Sequence, residues 1–347
     1  MKLKPSGSIA NDSSLVSMKE QLPLAMPLSI MIEPTNVCSF RCKFCPTGDY
    51  DLLKQVSRAK GFMKYESYVK IIDDIRFMCE TNTSVLKRLH LYKDGEPLLN
   101  KDIGKMIAYA KNQNISESVE TTTNGAVLTE KMALELIECG LDRIRFSIEH
   151  ITDNGYREIT RTFSDYKMIK RNIGFLYKEK ERRNSSLIVH VKIVDSGLSD
   201  NEKEKFIADF SPISDSLKIN HLMGWSKSDA KDWKLGHAVT VSMDGITKLK
   251  EWSVCTMPFS GLAINFNGTV SVCCVDWSHG TLVGNLNTQS LSDIWYGEKL
   301  RKLRLLHLKG KRSQIDACSN CDFIRGLCEY DKLDDDTDRL LQVYSKT

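Results

Sequence analysis

No apolar run in this chain of 347 residues approaches the eighteen or so needed to cross a bilayer, and the polar N-terminus lacks the charged-then-apolar order of a signal peptide. Those absences argue against a membrane-spanning or secreted protein and make the cytoplasm the expected compartment. An excess of one charge is missing too. The 49 basic and 45 acidic side chains leave a net charge of only +4, and no basic arm carries interleaved aromatics, so no nucleic acid is expected as partner. The basic run Lys309 to Arg312 and the acidic run Asp334 to Asp336 read as solvated surface.

What is present is an ordinary globular composition, 41% apolar and 27% charged, enough for one large or two modest cores. The cysteines stand out. A reducing compartment keeps thiols free, so eleven of them point to metal binding rather than disulfides. Three lie at 38–45 and six between 255 and 328, while Cys79 and Cys139 sit alone in apolar helical patterns and read as packing residues.

Residues 1–27 lack a sustained pattern and read as a lead-in. A short apolar run then ends at Pro34, followed by the cysteine loop and a polar connection at 47–64. From there helix-like stretches (65–80, 101–113, 129–139, 153–182, 200–210) alternate with strand-like ones (89–92, 117–122, 143–148, 187–194, 216–223). Six strands separated by five helices predict an α/β fold with a parallel sheet, open or rolled into a partial barrel, over 28–224. Ligand groups are then expected on the loops at the C-terminal strand ends. Residues 225–253 read as a linker or bridging segment, 254–330 as a second, cysteine-bearing unit and 331–347 as a tail.

Cys38, Cys42 and Cys45, spaced C-x3-C-x2-C, fall in the loop after the first strand. Three thiolates leave one iron of a four-iron cluster open; structural zinc is the other reading of short cysteine spacings. Strand ends further on carry Tyr92-Lys93-Asp94-Gly95-Glu96-Pro97, then Thr121-Thr122-Thr123-Asn124-Gly125, then Ser147 and Glu149. Taken singly these read as turns and strand termini.

With its flanking residues the cysteine loop resembles that of the radical S-adenosylmethionine (SAM) enzymes, and Gly95-Glu96-Pro97 resembles their Gly-Gly-Glu-Pro motif with Asp94 at the first glycine. The resemblance implies a partial (β/α)6 TIM-like barrel and a 4Fe-4S cluster on Cys38, Cys42 and Cys45 whose free iron chelates SAM. It implies Phe44 beside the adenine, Gly95 and Glu96 at the SAM amino group, and Thr123, Asn124, Ser147 and Glu149 at the ribose and carboxylate. Arg157 and Arg161 read as helix-surface charge.

In the second unit Cys255 and Cys273 bracket two short strands about an Asn-Gly turn, and the Cys318–Cys321 pair lies beyond an amphipathic helix at 290–307. Four thiolates complete either a cubane or a zinc tetrahedron. The segment resembles the small α+β SPASM or "twitch" extension of radical SAM enzymes. It lacks the further cysteines of the two-cluster pattern, which implies one auxiliary 4Fe-4S cluster on Cys255, Cys273, Cys318 and Cys321, as in radical aminocyclitol dehydrogenases. Cys274 reads as structural or as an exchangeable ligand, and Cys328 as a packing thiol; either becomes a hydrogen-atom donor if the reaction is an epimerisation. Asp276 is the candidate base.

The chemistry so implied is reductive cleavage of SAM to a 5′-deoxyadenosyl radical and hydrogen-atom abstraction, leading to dehydrogenation or epimerisation of a sugar-like or polyol-like substrate, with a flavodoxin- or ferredoxin-type electron donor. Peptide or protein side-chain modification is the alternative among enzymes. A metal-stabilised, non-catalytic binding module is the alternative of another class.

Overall fold

A computed structural model describes residues 17–346; residues 1–16 of the expected lead-in lie outside the described residues. Alternation of side chains builds the frame. In β1 (Ser29–Ile32), β2 (Arg88–Leu91), β3 (Val119–Thr123), β4 (Arg143–Ile148), β5 (Ile188–Asp195) and β6 (Ser216–His221), apolar residues such as Ile30, Leu89, Ile144, Phe146 and Val191 point to one face and are wholly buried. The crossover helices Tyr65–Asn82, Ile103–Asn112, Glu130–Glu138, Tyr166–Arg182 and Asp200–Phe210 connect these strands, and their own apolar stripes belong to the same core. The opposite face of β4, β5 and β6 carries Arg145, His190, Lys192 and Lys218. A sheet covered by apolar layers on both sides would not tolerate them, so this side is a polar lumen.

All six strands pair in parallel, in the order β6-β5-β4-β3-β2-β1, and the barrel stays open. The sheet does not stop there. β7 (Gly261–Ile264) pairs in parallel with β1, and β8 (Thr269–Ser271) and β9 (Leu282–Asn285) follow antiparallel, so the C-terminal hairpin extends the barrel sheet to nine strands. This brings the second cysteine unit against the first strand and its loop.

Three elements differ from the sequence reading. The stretch 153–182 is two helices, Asp153–Thr160 and Tyr166–Arg182: Arg161 takes a left-handed conformation, and the Asp165 side chain accepts from Met168 N to start the second. The helix expected over 290–307 breaks at Gly297 into Leu291–Trp295 and Glu298–Leu308. The polar connection 47–64 holds a short helix, Tyr50–Gln55, started by the Asp49 carboxylate accepting from Leu52 N at 3.2 Å. Beyond 331 the chain forms a helix, Thr337–Lys346, whose Leu340 and Tyr344 pack with Phe259 and Leu308.

Candidate active site

The cysteine loop leaves β1 at Glu33 and is fixed by its own polar side chains. Thr35 Oγ1 donates to Gly61 O at 2.7 Å, and Asn36 both donates to Ala59 O at 2.8 Å and accepts from Gly61 N at 2.9 Å. Its far side is stitched to the end of the 153–160 helix, where Arg41 N and Lys43 N each donate, at 2.9 Å, to Thr160 O and Ile159 O. The helix break therefore has a use: an uninterrupted helix would have consumed those two carbonyls internally.

All eleven cysteines are free. Burial pushes the Cys38 thiol up to about 12, with the Glu96 carboxylate adding to the effect. Burial likewise raises Cys42, beside Glu149, and Cys45, where a 3.0 Å hydrogen bond with Thr47 works against it. The Cys38 and Cys42 thiols each sense charge on another cysteine of the triad. Three buried thiols that repel one another when ionised suit a cationic metal centre, which favours the deprotonated form. Three thiolates are one short of a structural zinc tetrahedron, whereas three suffice for a cubane with one iron open.

The Gly-Glu-Pro turn packs directly on this loop. A Cβ at Gly95 would overlap Thr35 O and sit 2.7 Å from Val37 O, so only glycine fits, and Glu96 N donates to Val37 O at 2.9 Å. The buried Glu96 carboxylate, pushed up to about 7 by burial, accepts from Thr123 Oγ1 at 2.6 Å, Asn124 N at 2.7 Å and Leu98 N at 3.0 Å. Asn124 in turn donates to Ser39 Oγ at 3.1 Å and reaches Cys38 Sγ at 3.8 Å. Glu96, Thr123, Asn124 and the first cysteine therefore form one connected group.

Asp94, at the position of the family's first glycine, is the hub of a buried ion network. Its carboxylate pairs with Arg58 Nη2 at 2.7 Å and Lys93 Nζ at 2.8 Å, and Arg58 also pairs with Glu33 at 3.0 Å. Burial opposes ionisation of Asp94, but the two cations overcome it and hold the carboxyl down at about 2. Lys93 Nζ also donates to Asn265 Oδ1 at 3.0 Å and Asp276 O at 3.3 Å, while Phe266 N donates to Glu33 at 3.1 Å. The SAM-loop motif is thus wired to the hairpin that carries the second cysteine group.

Phe44, Ser147 and Glu149 face a cavity of about 290 Å³ at the C-terminal strand ends, walled also by Lys192 and Trp225 from the barrel side and by Val275 and Phe323 from the C-terminal unit. Trp225 Nε1 donates to Phe44 O at 2.8 Å and fixes that wall. Burial pushes the Glu149 carboxyl up to about 7 from an ordinary 4.5, with Lys192 opposing. A raised acid stabilises the fold below its unfolded value and loses that contribution as pH rises through 7. Glu149→Gln should accordingly add roughly 2–3 kcal/mol of stability near pH 8 and almost none near pH 4.5, read by thermal melts at the two pH values. Equal effects at both would contradict the burial explanation.

Cys255, Cys273, Cys318 and Cys321 line one separate small cavity with apolar walls from Val272, Pro258 and Ile324. Burial raises all four thiols; Cys318 reaches about 12, and for Cys273 a hydrogen bond with Cys274 is the larger cause. His307 accepts from Cys255 N at 3.3 Å. Four thiols lining one apolar cavity suit a fully ligated cluster. Cys274 stands outside these walls, and Cys328 lies in another cavity, donating to Asp331 at 2.9 Å. Asp276 also lines the four-thiol cavity, away from Ser147 and Glu149. Its carboxylate accepts from Thr281 Oγ1 at 2.6 Å, Thr281 N at 2.8 Å, Gly280 N at 3.0 Å and Ser278 Oγ at 3.1 Å, which makes it the organiser of the 276–281 turn.

Sequence reasoning missed Arg58, Lys93, Lys192 and Trp225. The signal for Lys192 was available: charged residues recur at alternate positions of β4, β5 and β6, where a covered parallel sheet should be apolar. Arg58 left no such trace in a polar connection.

Comparison with known proteins agrees with this geometry. The radical SAM superfamily model matches residues 32–202, and that of the SPASM iron–sulfur cluster-binding domain matches 255–322. A GTP 3′,8-cyclase of Clostridium botulinum is 25% identical over 181 residues, 51% of this chain and 51% of the relative, so the chain spans about half the length of the cyclases it matches. Among solved structures, BtrN in complex with AdoMet and 2-DOIA aligns with a TM-score of 0.53 at 19% identity, covering 88% of this chain and 96% of BtrN. Streptococcus suis SuiB bound to the precursor peptide SuiA gives 0.61 at 13%, covering 90% and 74%. At such identities these structures speak for the shared fold alone. The two domains imply a SAM-binding 4Fe-4S cluster and an auxiliary iron–sulfur cluster. No helix among the described residues is long and apolar enough to cross a membrane. Cysteine loop, Gly-Glu-Pro turn, open parallel barrel and second cysteine unit lead to one conclusion: the chain belongs to the radical SAM superfamily and is a radical SAM enzyme with a C-terminal SPASM domain.

Proposed function

We propose that this enzyme oxidises a polyol-like or sugar-like small molecule at a carbinol carbon, with one auxiliary cluster on Cys255, Cys273, Cys318 and Cys321 as electron acceptor. The observation that carries the reading is the 290 Å³ cavity, because its walls come from both units: Phe44 and Glu149 on the SAM side, Val275 and Phe323 on the auxiliary side. A substrate held there lies between the two cysteine groups. When the cluster and SAM are bound, reductive cleavage supplies the 5′-deoxyadenosyl radical that removes a hydrogen atom.

The chain's own residues position and shield. Cys38, Cys42 and Cys45 hold the cluster, Gly95 lets the backbone approach SAM, and the Glu96–Thr123–Asn124 group orients its amino end. Phe44, braced by Trp225, covers the adenine, while Ser147 and Glu149 meet the ribose and carboxylate. Asp276, with its carboxylate already engaged by four donors, shapes the auxiliary loop and is a poor candidate for a base. A flavodoxin- or ferredoxin-type protein supplies the electron.

Cys318→Ala should keep at least part of the 5′-deoxyadenosine release and lose the oxidised product. An unimpaired product yield would contradict the electron-acceptor role. The substrate class is tested with polyols and aminocyclitols deuterated at the carbinol carbon, from which deuterium should appear in 5′-deoxyadenosine. Transfer from a peptide side chain and from none of the polyols would replace this reading with peptide modification.

A further inference from the structure

Below the SAM-side cavity the lumen continues into a second space of about 450 Å³, the two sharing Tyr92, Thr122, Lys192, Asn220 and Met243 in their walls. Its floor is cationic. Strand register sets Ser147 beside Lys192 and Lys192 beside Lys218, with Arg145 one step below and next to His190. Neighbouring strands are about 4.8 Å apart, so two lysines in register on one face are like charges set side by side, an arrangement that costs stability unless something lies between them.

Nothing in the protein pairs with them closely. Among the described residues neither Lys192 nor Lys218 makes a hydrogen bond or ion pair. The nearby carboxylates are spent elsewhere. Glu120 takes Arg145 Nη2 at 2.5 Å, Asp244 accepts from Ile246 N, Thr247 N and Thr247 Oγ1, and Asp331 accepts from Cys328. Glu149 attracts Lys192 from the upper cavity without forming an ion pair. Arg145 Nη1 is buried with no partner at all. Half-buried cations from three adjacent strands thus line one cavity, the two lysines without a hydrogen-bond partner and only Asp244 and Asp331 of opposite charge in the same walls, which is the chemistry of oxyanion recognition.

We propose that Lys192, Lys218 and Arg145 form a subsite for an oxyanion on the small-molecule substrate, a phosphate or carboxylate group. Resting on the function proposed above, the subsite anchors the substrate at the bottom of the lumen with its reacting carbon towards Glu149 and Phe44. Two anchor points, one anionic and one at the reacting carbon, would fix which C–H bond meets the radical.

The test is binding of inorganic phosphate and of acetate to the reconstituted full chain, by calorimetry with saturating SAM present. Wild-type protein should bind one equivalent of one of them, the tighter ligand naming the group on the substrate. Lys192→Met and Lys218→Met should each weaken binding at least tenfold, and Lys218→Arg should restore most of it. Exposed Lys299→Met should change nothing. The thermal midpoints of the two methionine variants should stay level or rise, since each removes one of two repelling charges, which separates lost binding from lost folding. No binding of either anion, unchanged binding in the methionine variants, or displacement of phosphate by SAM would overturn the subsite. Release of 5′-deoxyadenosine by the wild-type enzyme is measured in parallel, so phosphate binding without SAM cleavage would condemn the functional reading and leave the anion site standing.

Discussion

Alanine at any one of Cys38, Cys42 and Cys45 should cut the iron of the reconstituted protein from about eight to about four per chain and abolish release of 5′-deoxyadenosine from SAM. Three thiolates are the minimum that holds a cubane while leaving an iron for SAM, so two cannot do the same work. The geometry sharpens the expectation. Cys38 is tied through Asn124 to Glu96, and the loop backbone is pinned by the carbonyls of Ile159 and Thr160, so the three thiols are held in fixed places. The four-thiol cavity lies apart and should keep its iron. Iron analysis with quantification of 5′-deoxyadenosine checks both halves; a Cys42→Ala protein that still cleaved SAM would require another set of ligands.

Arg58→Met should destabilise the protein by about 3–5 kcal/mol, the largest effect on stability expected of a single change outside the cysteines. The substitution nearly preserves length and packing but strands two carboxylates in the interior. Glu33 and Asp94 have almost no solvent contact, and Arg58 is the cation they share. Lys93 keeps its direct pair with Asp94 and attracts Glu33 without touching it, so Glu33 is the group that loses its ion-pair contact. Neutralising it as well, in Arg58→Met with Glu33→Gln, should recover at least 1 kcal/mol, a coupling that denaturant titration of the three proteins measures directly. Simple additivity of the two changes would show that the network is not cooperative. Because the same side chains join the Gly-Glu-Pro turn to the 261–271 hairpin, SAM affinity should fall along with stability.

Local chemistry was readable in the sequence, and chemistry assembled at a distance was not. The β4 strand from Arg143 to Ile148 falls where strict alternation put it, and the first cysteine group declares itself by spacing within a few residues. The break at Arg161 was hidden because the apolar period runs across it. What stops the helix is Thr160 bonding back to Tyr156 O at 2.7 Å, with Asp165 available to start the next. Arg58 reaches Trp277 O, 219 residues away, and no pattern within a polar connection announces such a partner. Lys192 and Lys218 become neighbours only once strand register is known. Asp276 reads in the sequence as a candidate base after Cys273-Cys274, whereas its four donors follow from the turn it closes.

The central claim is that the thiols after β1 carry a cluster with an iron open to SAM. Anaerobically reconstituted wild-type protein, reduced with dithionite and given SAM, should release 5′-deoxyadenosine and methionine in equal amounts. Iron-loaded, reduced protein that left SAM intact would contradict the account.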